Sequence, residues 1–205
     1  MLERSAFQVV ADKAIQPGWH VVIAPISERS FGIAALYDET LAAFSPTGTN
    51  YYQQDLAMKK ARGDLTKVLA TLETSSAGSD RTEIIAALGA ASERFASDEN
   101  AGKKLLVILT PGFEQSSIVN MGDYHLNLND AVSDRIIRHL EALGTMPRLA
   151  GVRVCMAGVT AGDRRWADYK RQINIEHFWH TFFSRAGAQL TGYSPSLATC
   201  RELQR

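Results

Sequence analysis

A three-layer α/β/α sandwich around a mostly parallel central sheet is the fold this 205-residue sequence predicts. Strand-like apolar runs alternate with stretches of helical periodicity, the order that builds a parallel sheet with helices on both faces. One run, Leu105-Leu106-Val107-Ile108-Leu109, is apolar throughout, follows Lys103 and Lys104, and stops at Thr110-Pro111-Gly112. That is the pattern of a strand buried on both faces. No internal repeat interrupts the alternation, and the length suits a single domain over residues 1–205.

Taken in order, residues 2–15 carry apolar side chains at helical spacing (Leu2, Ala6, Val9, Val10, Ala14), and Gln16-Pro17-Gly18 ends that helix. Residues 19–26 read as a central strand and residues 31–37 as an edge strand pairing back on it. A loop at 45–50 precedes a helix over 51–73 with Leu56, Met58, Leu65, Val68, Leu69 and Leu72 on its apolar side and Gly63 as a candidate break. Thr82 is placed to cap the next helix, 83–95, whose inner side carries Ile84, Ile85, Leu88, Ala91 and Phe95. Beyond the apolar run, the irregular stretch 118–129 leads to Asp130, the expected cap of a helix over 131–143. Val132, Ile136, Ile137, Leu140 and Leu143 should face inward there, with Gly144 closing the helix. A strand over 149–159, a loop at 160–163, a helix over 173–186 with Phe178, Trp179, Phe182 and Phe183 as an aromatic face, and a short strand over 189–193 complete the chain.

Lys+Arg and Asp+Glu both number 22, so the formal net charge is +0. Global electrostatics give no reason to expect nucleic acid or an anionic membrane as partner. No stretch approaches the roughly 18 apolar residues of a membrane span. Met1-Leu2-Glu3-Arg4-Ser5 has no basic segment followed by an apolar one, so the chain as written is expected in the cytoplasm. An upstream signal peptide would place it in the periplasm or at the surface. Cys155 lies in an apolar run, where cysteine behaves as a small buried hydrophobe, and Cys200 lies in a polar tail. Their pairing is open at this level, and two cysteines are too few for a disulfide scaffold.

Ligands of open α/β sheets gather at the carboxyl ends of the strands, which puts Thr110 to Ser117 on the binding edge. Thr82, Thr110, Glu114, Ser116 and Ser117 offer hydroxyls and one carboxylate, the oxygen ligands a hard cation such as Mg2+ or Mn2+ takes. Helix capping and loop solvation explain the same residues, and a metal site normally needs more than one carboxylate. His177 and His180 share a helix at a spacing that could bring two imidazoles to one face, but the aromatics around them favour packing or surface roles. Asp163-Arg164-Arg165-Trp166 reads as a solvated loop. There is no GxSxG elbow, glycine-rich phosphate loop or GxGxxG. A non-enzymatic role is therefore expected. The alternative is a small-ligand-binding or hydrolytic domain using Glu114 and Asp123 as acid and base at the same edge.

Several phrases, in this order, resemble a von Willebrand factor A-like (VWA-like) domain of bacterial type. Arg81-Thr82-Glu83-Ile84-Ile85-Ala86-Ala87-Leu88 is similar to the family's threonine loop and following helix. Lys104 to Ser117 resembles the strand that usually ends in Ser/Thr-Asp, and Phe178 to Ala188 resembles the final helix of bacterial members. The resemblance covers residues 5–195 and implies a Rossmann-like sandwich that binds a protein partner, alone or within a larger assembly. It also implies a metal-ion-dependent adhesion site made by D-x-S-x-S after the first strand, a threonine from a second loop and an aspartate from a third. Thr82 matches the threonine, Pro111 stands where the aspartate belongs, and the D-x-S-x-S segment is missing. The resemblance thus implies a degenerate site with Thr82 as its remaining metal ligand, and a first strand that is absent or, as the exposed edges of such a sheet favour, upstream.

Overall fold

The computed structural model describes residues 16–27, 34–41, 43, 51–75, 81–98, 102–159 and 169–200. The expected helix over 2–15, the loops at 45–50 and 160–163, the segment Asp163-Arg164-Arg165-Trp166 and part of the expected strand 31–37 lie outside them. Backbone contacts divide the chain into two compact units, one formed by Met1–Pro25, Ile33–Ser79 and Leu203–Arg205, the other by Ile26–Gly32 and Asp80–Glu202.

In the first unit, β1 (His20–Ile23) pairs antiparallel with β2 (Tyr37–Thr40), from His20 opposite Thr40 to Ile23 opposite Tyr37. Backbone bonds from Gly18 and Leu41 to Leu41 and Trp19 carbonyls extend the ladder. The expected central strand over 19–26 is thus a short antiparallel one, and among the described residues its partner is Tyr37–Thr40, with 34–36 outside the strand. The physical reason is side-chain selection: Tyr37 and Leu41 are buried with Ala61 and Leu65 of the helix α1 (Tyr51–Ser75), and Trp19, Val21, Ile23, Met58 and Val68 pack against them. α1 runs unbroken through Gly63, whose helix cost of about 1 kcal/mol is outweighed by burial of the flanking Ala61 and Leu65. Leu56, expected on the inner side, is 56% exposed.

In the second unit, β3 (Lys104–Leu109), β4 (Val152–Ala157) and β5 (Gln189–Ser194) form a parallel sheet in the order β3-β4-β5. The helices α2 (Ile84–Ser97), α3 (Asp130–Ala142) and α4 (Tyr169–Arg185) alternate with these strands, which makes the protein a mixed α/β structure. The interior strand is β4, with Val152, Val154, Cys155, Met156 and Ala157 buried. β3 was expected to be buried on both faces, yet only Ile108 is, and its other residues are half-buried. Among the described residues β3 has one ladder neighbour, β4.

The core joins Ile84, Leu88, Ile137, Leu140, Val154 and Met156 to the four aromatics of α4, each fully buried. Trp179 meets Phe178 and Phe182 edge-on at centroid distances of 5.3 and 5.5 Å and stacks on Phe183 at 5.8 Å. α3 is capped by Asn129, whose Oδ1 accepts from the Val132 amide at 3.0 Å, while Asp130 is already helical. Leu143, expected inside, is 55% exposed just past the helix end. Cys155 is bridged to Cys200, 45 residues on, with Cα atoms 5.7 Å apart. Among the described residues no helix is long and apolar enough to cross a membrane.

Candidate functional site: the loop edge after β3

Because β3, β4 and β5 are parallel, their carboxyl ends share one edge, and the chain leaving β3 crosses it. Thr110 continues the ladder for one more step, donating its amide to the Ala157 carbonyl at 3.0 Å, and is buried. Its Oγ1 then accepts from the Gly112 amide at 3.2 Å. Gly112 has φ +87, and a Cβ there would stand 3.1 Å from the Tyr193 hydroxyl and 3.3 Å from Val159 Cγ1, so any other residue would be strained in the turn. Its carbonyl accepts from the buried Trp179 indole N–H at 2.8 Å. Helix α4 thereby pins the loop.

Glu114 is the centre of the arrangement, and it points inward. Its side chain is 0% exposed, and Oε2 accepts from the Ile85 amide at 2.9 Å. Glu83 occupies the N-cap position of α2 and makes no side-chain capping bond. Thr82, expected as the cap, instead lends its backbone carbonyl to the Gln115 amide at 2.9 Å. A carboxyl from 29 residues downstream stands in for the local hydroxyl, its Oε2 satisfying an orphan amide of the helix start. Burial raises the Glu114 carboxyl from 4.5 to about 7, against the opposing pull of the Ile85 amide, the Ser116 hydroxyl and the Ile84 amide; Glu83 adds a smaller upward push. Among the described residues Oε1 meets no donor at full hydrogen-bond geometry.

The other expected residues divide between structure and surface. Ser116 Oγ accepts from the Ile118 and Val119 amides at 3.3 and 3.4 Å, closing a serine turn that Gln115 and Asn120 complete by an isolated bridge. Ser117 and Pro111 are exposed. Asp123 is exposed too, and its Oδ1 accepts from the His125 amide at 2.8 Å. Arg171 of α4 donates to the carbonyls of Met121 and Asp123 and lies 5.0 Å from the Tyr124 ring centroid. Beside it a shallow groove is lined by Tyr124, His125, Lys170, Arg171 and Asn174. The amide of Glu83 donates to the Ser27 carbonyl at 3.2 Å, bringing a third segment to the Thr82 loop.

The edge therefore brings together Thr82, Thr110, Glu114 and Ser116 as loop-fixing groups and leaves Ser117 at the surface. The hydroxyls of Thr110 and Ser116 accept backbone amides, and the carboxylate of Glu114 is turned to a helix terminus. Among the described residues no three His, Cys, Asp or Glu side chains gather in a metal-ligating group. His177 contacts Asp130 Oδ1 at 3.5 Å, and His180 is exposed. Sequence reasoning missed Trp179 and Arg171 as the residues that hold the loop. The one available signal was that a buried tryptophan needs an acceptor for its N–H. Compared with protein-family models, curated proteins and solved structures, the chain matches none.

Proposed function

We propose that this protein is a VWA-like, non-enzymatic module that binds a protein partner through the carboxyl edge of its parallel sheet, without a metal. The observation that carries the reading is the convergence of three segments: Gln115 is bonded to Thr82, Glu114 to Ile85, and Glu83 to Ser27. A threonine loop held against the loop after this strand is the arrangement the resemblance implies. Pro111 and Ser117 stand exposed on that frame, as contact residues on a fixed surface would. The three-layer sandwich belongs to this reading as well. The half-buried apolar residues Leu105, Leu106, Val107 and Leu109 suit an interior strand, so a central first strand along the side of β3 away from β4 would complete the sheet.

The hydrolytic alternative draws on the carboxyl of Glu114, held near pH 7 where acid–base groups work. Its full burial and its bond to the Ile85 amide argue against contact with a substrate. Photo-crosslinking in the cells that make the protein separates the readings. A crosslinker at position 111 or 117 should capture discrete protein adducts, and one at exposed His139, near the far end of α3, should not. Equal labelling from all three positions would sink the edge as the contact surface.

A further inference from the structure

The disulfide is the feature this function does not absorb. Three separate features of the fold accommodate it. The β4–β5 ladder shifts register between Val154 and Cys155, next to the bridged residue. Gly192 of β5 lies directly under the sulfur: a Cβ there would be 2.7 Å from Cys155 Sγ and 3.3 Å from the Thr199 carbonyl. Past β5, Ser196 caps a single 3-10 turn (Leu197–Thr199), its Oγ accepting from the Ala198 amide at 3.2 Å, and the turn delivers Cys200 to Cys155. Leu197 is buried, and both cysteines are fully so.

We infer that residues 195–200 form a disulfide-locked strap over β4 and β5, and that the protein reaches its native state in an oxidising compartment rather than the cytoplasm. A side-chain-free corridor, a register shift and a capped turn all converge on one bond. Such a bond is built into the fold, and buried sulfurs of this kind are closed to the small thiols that reduce exposed bridges. In forming it, the two thiols give up two protons and two electrons. A disulfide-carrying oxidant of the thiol–disulfide oxidoreductase class accepts them and becomes a dithiol. The closed loop of 45 residues removes chain entropy from the unfolded state, and its loss moves the unfolding equilibrium about 10³-fold toward the unfolded chain.

The test is to produce the full chain in a bacterial cytosol and, separately, exported to the periplasm, alkylating free thiols at lysis. The exported chain should carry the bridge. The cytosolic chain should carry two alkylated thiols, exchange its amide hydrogens at 196–200 at least 10-fold faster, and unfold at lower denaturant. Two free thiols in the exported chain, or equal denaturant midpoints for the two preparations, would overturn the inference. Gly192→Ala provides an independent check. It should lower the midpoint more in the bridged chain than in Cys155→Ala/Cys200→Ala, and equal lowering in both would show that the corridor does not exist for the sulfur.

Discussion

Helices α2 and α3 begin in contrasting ways. α3 starts conventionally: Asn129, the residue before it, folds its side chain onto the Val132 amide. α2 starts with no local cap, and its Ile85 amide is taken by Glu114, which belongs to the loop after the next strand. The first cap stabilises one helix. The second ties a helix to the loop that forms the proposed contact surface, and it does so with a group that titrates near neutral pH.

The largest way to break this contrast is with protons. In the unfolded chain the Glu114 carboxyl loses its proton near 4.5, and in the fold near 7. Between those values the folded state holds the extra proton, so this group's contribution to stability is greatest below pH 4.5 and falls as pH rises to 7. The fall is about 3 kcal/mol from this group. Denaturant titrations from pH 4 to 8 should show it, and Glu114→Gln should flatten that part of the profile. A Glu114→Gln curve as steep as the parent's would remove the carboxyl from the account.

Next in size is Trp179→Phe, which leaves the buried Gly112 carbonyl without its donor and a gap beside Phe183. It should cost about 2 kcal/mol and speed hydrogen exchange at 112–121. Asn129→Ala should cost about 1 kcal/mol at every pH, with Asn129→Asp restoring it, since the cap depends on an acceptor oxygen alone. Smallest is Thr82→Ala, at about 0.5 kcal/mol or less, because the Thr82 group bonded to Gln115 is its backbone carbonyl. A loss near that of Asn129→Ala would restore Thr82 as the working cap.

The same contrast marks how much the sequence discloses. Periodicity is local, and the structure places β3 at Lys104–Leu109, α3 at Asp130–Ala142 and the aromatic face of α4 where the spacing puts them. Relations across the chain were not legible. Nothing in the order of residues says that β3 is half-buried, that the described return strand pairs from Tyr37, or that Cys155 meets Cys200. At the site, composition identified Glu114 as the carboxylate of the edge but not its direction, because a lone acid in a loop can face water or a helix terminus equally well. Pairing and orientation are settled by packing.

The two hydrophobic cores bear on cooperativity. One gathers Tyr37, Leu41, Ala61 and Leu65, the other includes Ile137, Val154 and the four aromatics of α4, and each closes within its own unit. Loss of one set of contacts need not entrain the other. Trp19, packed on the smaller core, and Trp179, at the centre of the larger, each report on one of the two cores. A fluorescence melt sums both with Trp166, whereas amide exchange, expected to run faster in β1 and β2 than in β4, follows each core by itself.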